Sequence, residues 1–241
     1  MKVHIQTFGL GQPLVLFHGW GFDSNIWLPI VSTLTKKSYR LYLVDLPGFG
    51  ETPFMGWEAF KLALLSELPP RFALIGWSMG GLMATRLSAE TPDRVTHLMN
   101  IASSPRFTQE DNWVGVQPIV LNTFYNQFIN DPQQTRVHFI RSQLQGHELP
   151  VGIFENPPTL VGLQAGLDML VNWDLRALLS SIKQPVCYLF GRLDTIIPYR
   201  VMLVMKNEYP HITQVVFKKS AHIPFLSHSH EFVELLDEFI S

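Results

Sequence analysis

The Gly-Trp-Ser-Met-Gly segment at residues 76–80 constrains the fold most, because it joins two segments of different character. Residues 72–75 form a short apolar run typical of a buried strand, and residues 79–90 are predicted to form a helix. A strand-to-helix corner of this kind strains the backbone of its serine and exposes the hydroxyl above the sheet edge. Both glycines are expected because a side chain there would collide with the adjoining strand or helix. The corner therefore predicts Ser78 as a nucleophile and the Met79 amide as an oxyanion donor.

A serine hydroxyl is a weak nucleophile, so it needs a general base and an acid that orients the base. In this architecture the chain order is Ser, then Asp or Glu, then His. An apolar strand is predicted at residues 186–190, and Asp194 lies in the loop after it. A further strand is predicted at residues 213–217, and His222 follows it. We therefore predict Ser78, Asp194 and His222 as the catalytic residues.

Other acids and histidines compete for these roles. Asp168 and Asp174 lie in a segment that does not follow a core strand, and His228 and His230 lie beside the start of the last predicted helix. Most loop aspartates form turns, and most loop histidines are solvated, so position decides between the candidates. Position favours the acid and the histidine that follow predicted strands.

A second oxyanion donor is predicted near the N-terminus. Residues 14–17 form a buried strand, and the turn His18-Gly19-Trp20-Gly21 follows it. This turn is similar to the one that supplies the second oxyanion amide to serine hydrolases with a strand-to-helix nucleophile corner, here from Trp20. His18 has no acid nearby in sequence, so we expect it to brace the turn by hydrogen bonds.

Composition excludes several classes of function. The chain has 241 residues, 46% of them hydrophobic, which is ordinary for a globular enzyme. Its net charge of -2 and its lack of a basic tract argue against nucleic acid and against an anionic membrane surface. No apolar run approaches the ~20 residues of a membrane span, and the N-terminus does not resemble a secretion leader. The single cysteine, Cys187, is expected to be a buried structural thiol. We expect a cytoplasmic monomer.

The chain divides into three parts. Residues 1–104 and 180–241 alternate strands and helices, which predicts an α/β core with a mostly parallel central sheet flanked by helices. Residues 105–179 are predicted to form a helical lid that covers the catalytic corner, with a few aromatic side chains facing the substrate. The aromatic residues of this insertion are Trp113, Phe124, Tyr125, Phe128, Phe139, Phe154 and Trp173.

Five segments together carry a resemblance to a known family: residues 18–21, 44–50, 76–82, 102–105 and 221–228. With them the chain resembles the α/β-hydrolases almost end to end. Among these it resembles the carboxylesterases of biotin synthesis that act on the methyl ester of pimeloyl-acyl-carrier protein. The resemblance implies the α/β-hydrolase fold, ester hydrolysis that ends chain elongation, and no metal or organic cofactor.

The resemblance also implies a substrate pocket and a carrier-docking surface. The run at residues 139–143 is similar to the family's pocket segment. Lid arginines hold the acidic carrier protein in the family, but residues 148–168 contain no basic residue here, so we expect a smaller or displaced docking surface. The predicted substrate-binding residues are Trp20, Ser78, Met79, Phe139, Ile140, Arg141, Ser142, Gln143 and His222. The charged residues weighed for docking are Arg106, Arg136, Arg141 and Arg176, against Glu110, Asp111, Asp131, Glu148, Glu155 and Asp168.

Three other functions use a similar set of residues. A general short-chain carboxylesterase has identical chemistry. A carbon–carbon bond hydrolase or a cofactor-free haloperoxidase shares the triad, whereas dehalogenases with an aspartate nucleophile are disfavoured by Ser78. A non-catalytic ligand receptor on a hydrolase scaffold is the alternative from a different class.

Overall fold

The computed structural model describes residues 2–144 and 156–241. Within these residues a single sheet of seven strands runs in the order β1-β3-β2-β4-β5-β6-β7. Only β1 pairs antiparallel, and every other neighbouring pair is parallel. The predicted α/β fold with a mostly parallel sheet is therefore confirmed. The strands are β1 (Ile5–Phe8), β2 (Gln12–Phe17), β3 (Tyr39–Val44), β4 (Phe72–Trp77), β5 (Val95–Ile101), β6 (Val186–Gly191) and β7 (Thr213–Phe217).

Helices cover both faces of this sheet. Strand β2 shows why: Val15 and Phe17 belong to one hydrophobic cluster, and Leu14 and Leu16 belong to another. Successive side chains of a strand point to opposite faces, so an unbroken apolar strand needs a cover on each side. The helices are α1 (Leu28–Lys36), α2 (Trp57–Glu67), α3 (Met79–Glu90), α4 (Pro118–Asn130), α5 (Pro132–Leu144), α6 (Leu160–Asn172), α7 (Arg176–Ser181), α8 (Val201–Glu208), α9 (Pro224–Ser227) and α10 (Ser229–Ile240).

The parallel strands place three loops at one edge of the sheet. Ser78 follows β4, Asp194 lies three residues after β6, and His222 lies five residues after β7. The carboxyl ends of parallel strands meet at the same edge, which is where open α/β sheets carry their sites. The fold thus gathers residues that are far apart in sequence.

Along the chain, helices α4 to α7 form an insertion between β5 and β6. This insertion is attached to the loop after β3, because the Thr159 amide donates to the Gly48 carbonyl at 2.8 Å. A Cβ added to Gly48 would lie 2.5 Å from the Gly162 Cα, so the loop and the start of α6 touch backbone to backbone. This contact gives a structural reason for the Pro-Gly turn in residues 45–50. Phe154, Glu148 and Glu155 lie outside the described residues.

None of the helices in the described part of the chain is long and apolar enough to span a membrane. Cys187 is fully buried in β6, and burial raises the pKa of its thiol to about 12. A thiol with so high a pKa stays protonated and unreactive at neutral pH. The expected structural role of this cysteine is consistent with its position.

Candidate active site

The Ser78 corner is built as the sequence predicts. Strand β4 ends at Trp77, helix α3 begins at Met79, and Ser78 between them has φ 55° and ψ -120°. A non-glycine residue held at positive φ costs about 1–3 kcal/mol, so the surrounding structure must impose it. The Ser78 amide donates to the Ile101 carbonyl at 2.9 Å, and the Ser103 hydroxyl donates to the Ser78 carbonyl at 2.8 Å. Strand β5 and the loop after it therefore hold the strained residue by its backbone amide and its backbone carbonyl.

The two glycines of the corner allow close packing. A Cβ on Gly76 would lie 2.5 Å from the Gly80 carbonyl oxygen, and a Cβ on Gly80 would lie 2.5 Å from the His18 carbonyl oxygen. Such distances are shorter than any real Cβ contact, so the expected need for glycine at both positions is confirmed. The second contact also places the turn after β2 directly against the start of α3.

Ser78, His222 and Asp194 form one hydrogen-bonded chain. The His222 Nε2 atom lies 3.0 Å from the Ser78 hydroxyl oxygen, and its Nδ1 atom lies 2.8 Å from Asp194 Oδ2. All three side chains are buried, with Ser78 5%, Asp194 8% and His222 1% exposed. An imidazole placed between a hydroxyl and a carboxylate can take the hydroxyl proton while the carboxylate fixes its tautomer.

Further contacts orient the base and the acid. The Trp77 indole donates to the His222 carbonyl at 2.8 Å, which ties the histidine loop to the end of β4. The other Asp194 oxygen, Oδ1, accepts from the amides of Ile196 and Ile197 at 2.8 and 3.0 Å. Because the loop amides occupy Oδ1, Oδ2 is left to face the imidazole.

The rival acids and histidines lie elsewhere. Asp168 is exposed on helix α6, and Asp174 forms an ion pair with Arg176. The His228 ring contacts the Ser227 hydroxyl at 2.8 Å, and His230 is exposed on helix α10. Among the described residues, His222 is the histidine that hydrogen-bonds to the Ser78 hydroxyl.

Two backbone amides near Ser78 are the candidates for an oxyanion site. Met79 is the first residue of helix α3, where an amide has no partner within the helix. Gly19 touches the corner, since a Cβ added there would lie 3.3 Å from the Ser78 Cβ. The amides of Trp20 and Met79 have no hydrogen-bond partner among the described residues. This arrangement suits the binding of an oxyanion.

His18 braces the turn and is not part of the hydrogen-bonded chain. Its Nδ1 donates to the Gly19 carbonyl at 2.8 Å, and its Nε2 accepts from the Leu46 amide at 3.0 Å. The second bond requires the neutral ring, because Nε2 can accept only when it carries no proton. Burial lowers the pKa of His18 to about 4, against the opposing charge of Asp45. The expected bracing role is confirmed.

This pKa predicts a loss of stability in mild acid. Below pH 6.5 the unfolded chain binds a proton at residue 18, whereas the folded chain does so only near pH 4. The free energy of unfolding should therefore fall through this window, by roughly 3 kcal/mol for this residue. Urea unfolding of the wild type and of His18→Gln, above pH 6.5 and near pH 4, gives the slope of the free energy of unfolding against pH for each protein. The wild type should show the steeper slope. The exposed His211→Gln serves as a control, and an equal slope in wild type and His18→Gln would contradict the assignment.

A cavity of about 630 Å³ opens over Ser78 and is lined by the insertion. Trp20, Phe124 and Phe139 form an aromatic wall in which ring centres lie 5.2–5.5 Å apart. The wall confirms that a few of the insertion's aromatic residues face the cavity. The other apolar lining residues are Phe107, Val116, Val120, Leu121, Leu167, Leu170 and Ile196. The polar lining residues, apart from Ser78, are Gln127, Asn130, Asp131, Gln134, Thr135, His138, Ser142, Gln143 and Thr195.

The predicted pocket segment on α5 is only partly right. Phe139, Ser142 and Gln143 line the cavity, but Ile140 is fully buried in the core and Arg141 is exposed. Successive helical residues are about 100° apart, so a run of five cannot face one cavity. Met79 and His222 also do not line it: the Met79 side chain packs against Gly166 of α6, and His222 hydrogen-bonds to the Ser78 hydroxyl.

Sequence reasoning missed the cavity residues on α4 and α6. Their apolar side chains look like ordinary helix core residues in sequence, and no motif marks them. Thr195 and Ile196 could have been found, since they directly follow Asp194 in the same loop.

A profile of the alpha/beta hydrolase fold matches residues 12–229. An esterase from Exiguobacterium antarcticum superposes with a TM-score of 0.84 at 23% identity, covering 99% of this chain and 95% of its own. A bromoperoxidase from Bacillus anthracis superposes with a TM-score of 0.83 at 23% identity, over 99% of this chain and 95% of its own. At such identities these structures show the fold alone. The profile match establishes that the chain belongs to the α/β-hydrolase family.

Sequence relatives narrow this class. The pimeloyl-[acyl-carrier protein] methyl ester esterase of Legionella pneumophila (strain Corby) is 51% identical over 240 residues, covering 100% of both chains. The protein of the same name from Aeromonas hydrophila subsp. hydrophila is 38% identical over 254 residues, again covering 100% of both. Within the α/β-hydrolases, the chain is therefore a member of the same family as these curated esterases, as the sequence motifs predicted.

Proposed function

We propose that the protein is a serine carboxylesterase that hydrolyses the methyl ester of pimeloyl-[acyl-carrier protein], a step of biotin synthesis. The hydrogen-bonded chain of Ser78, His222 and Asp194 at the base of an apolar cavity supports ester hydrolysis. The end-to-end similarity to esterases named for this substrate supports the acyl chain and its carrier. The products are methanol and a carrier-bound chain that ends in a carboxylate.

The proposed reaction is a two-step acyl transfer. His222 takes the proton of Ser78 as the hydroxyl attacks the ester carbonyl, and Asp194 holds His222 in the tautomer that can accept it. The amides of Trp20 and Met79 stabilise the oxyanion, each donor contributing about 3 kcal/mol in comparable sites. Methanol leaves with the proton from His222, and water then hydrolyses the acyl-enzyme in the same way. These steps need no metal or organic cofactor.

Helices α4 to α7 act as a lid in this proposal. The aromatic wall excludes water from the acyl chain, which strengthens the electrostatic interactions at the ester. The enzyme is proposed to act as a monomer in the cytoplasm, and its net charge of -2 gives no attraction to nucleic acid or anionic membranes.

The lid arginines support a small carrier-docking surface. Arg106 and Arg176 both pair with Glu110. Arg136 is buried with its Nε on the Gly21 carbonyl. Only Arg141 of the four is exposed without an ion pair or hydrogen bond among the described residues. Docking through concentrated positive charge on the described part of the lid would therefore depend chiefly on this residue.

Two measurements test the assignment. A biotin auxotroph that lacks this esterase step should grow without biotin when it carries the wild-type gene, and should not grow with Ser78→Ala. Purified protein incubated with the methyl ester of pimeloyl-acyl-carrier protein should release methanol, with a matching mass loss on the carrier. A folded protein that hydrolyses small esters, but neither restores growth nor releases methanol from the carrier-bound ester, would overturn the substrate assignment.

A general short-chain carboxylesterase is the second candidate. The observation that favours it is the ion pairing of Arg106 and Arg176, which leaves little positive charge for a carrier. Rates for free methyl esters of increasing acyl length separate the two. A strong preference for the carrier-bound chain supports the first candidate, and equal rates for free short esters support the second.

A further inference from the structure

Arg136 is a buried arginine that joins the lid to the turn after β2. It lies on helix α5, is 6% exposed, and donates from Nε to the Gly21 carbonyl at 2.6 Å. The aliphatic part of the side chain also lies near the turn, since a Cβ added to Gly21 would lie 3.6 Å from Arg136 Cγ. Arginine is rarely buried to this extent unless it is paired, so its partner at this position is informative.

The same turn is held from two other directions. On the core side, His18 bonds to the Gly19 carbonyl and to the Leu46 amide. On the lid side, the Trp20 indole donates to the Leu163 carbonyl of helix α6 at 2.8 Å. Helices α5 and α6 thus each contribute one hydrogen bond to a four-residue turn.

This turn carries one of the two amides assigned to the oxyanion. The Gly21 carbonyl shares a peptide plane with the Phe22 amide, which donates to the Gly19 carbonyl at 3.3 Å, and the Gly19 carbonyl shares a peptide plane with the Trp20 amide. Gly21 has φ +82°, a region open to glycine, so rotation of the Gly21–Phe22 peptide would meet little steric resistance and would weaken the bond to the Gly19 carbonyl that helps to orient the Trp20 amide. A hydrogen bond to the Gly21 carbonyl removes this freedom.

We propose that Arg136 is a positioning residue: it fixes the turn so that the Trp20 amide faces the Ser78 hydroxyl, and it thereby couples formation of the oxyanion hole to the docked position of helix α5. The proposal rests on ester hydrolysis at Ser78. In this proposal the position of the lid affects the rate of the chemical step as well as the access of the substrate.

The electrostatics are consistent with this position. The charge of Arg136 reaches the turn, because it is one of the causes that lower the pKa of His18. Burial lowers the pKa of Arg136 itself, and the nearby charge of Asp23, 1% exposed, opposes that shift. Removal of the guanidinium therefore affects a buried carboxylate as well as the turn, and the test must separate the two effects.

The experiment measures Arg136→Met on a p-nitrophenyl ester, which does not depend on a carrier protein. Loosening one oxyanion donor should lower kcat about tenfold to a hundredfold, less than the loss of a donor outright, with KM within about twofold. Binding of an alkylboronic acid, which forms a tetrahedral adduct on serine, should weaken by a similar factor. Binding of the carboxylic acid product should stay unchanged. Arg136→Lys should recover part of kcat because it retains a donor.

Two further variants keep the result interpretable. Arg71→Met removes an exposed arginine outside the site and should behave as wild type. Asp23→Asn combined with Arg136→Met removes both buried charges and should show the same loss of kcat if the turn is responsible. An unchanged kcat, a rise in KM alone, or failure of both Arg136→Met forms to fold would overturn the positioning role. Turnover retained by Ser78→Ala would instead overturn the proposed hydrolase function.

Discussion

Replacing Ser78 with alanine should lower ester turnover by about six orders of magnitude and leave the fold intact. The proposed reaction begins with attack by the Ser78 oxygen, which lies 3.0 Å from the base His222. Alanine has the same Cβ as serine, so the strained backbone at φ 55° is no less accessible to it. Hydrolysis of a short p-nitrophenyl ester gives the rate, and thermal unfolding reports the fold.

Ser88→Ala is the matched control for this experiment. Ser88 is a fully buried serine of helix α3, and its hydroxyl has no hydrogen-bond partner among the described residues. Its replacement should therefore leave turnover near the wild-type rate. Turnover by Ser78→Ala close to that of Ser88→Ala would refute the nucleophile assignment.

Replacing Asp194 with asparagine should lower kcat by about four orders of magnitude. The Asp194 carboxylate accepts a hydrogen bond from Nδ1 of His222, which leaves Nε2 free to accept the Ser78 proton. An amide can donate to Nδ1 instead, and the ring proton then moves to Nε2, where it blocks the base. The volume of the side chain is unchanged, so the loss should come from the tautomer.

The pH profile and a second acid complete this test. Asp168→Asn changes an exposed acid of helix α6 and should keep the wild-type rate. The residual activity of Asp194→Asn should rise with pH, because hydroxide can replace the lost base. A rate for Asp194→Asn within tenfold of Asp168→Asn would show that another group orients His222.

Sequence reasoning located the Ser78, Asp194 and His222 cluster correctly, because each position follows from the end of a strand. Residues 186–190 form an unbroken apolar run, and residues 213–217 contain three β-branched residues and a phenylalanine, so the strands β6 and β7 could be located without a structure. Asp194 and His222 then follow from the rule that parallel strands end at one edge. The Ser78 corner was equally readable from its Gly-x-Ser-x-Gly spacing, although only Gly76 is required by a local contact, with Gly80, whereas Gly80 is required by the turn after β2.

The cavity was less predictable, because its shape depends on how helices pack. On α5, Ile140 and Arg141 belong to the same run as Phe139 but face the core and the solvent. Which face of an insertion helix meets the core is decided by contacts with the sheet domain, such as Arg136 with Gly21. Those contacts join residues 115 positions apart, and no local pattern encodes them.

The amino-acid sequence by itself determined the order of the strands along the chain, the strained serine corner and which aspartate and histidine form a hydrogen-bonded chain with Ser78. These follow from local periodicity and from short-range steric demands. Only the tertiary structure decided which insertion residues line the cavity and how helices α5 and α6 contact the turn that carries the Trp20 amide. Such contacts depend on the relative placement of whole helices, which is set by the summed packing of distant surfaces.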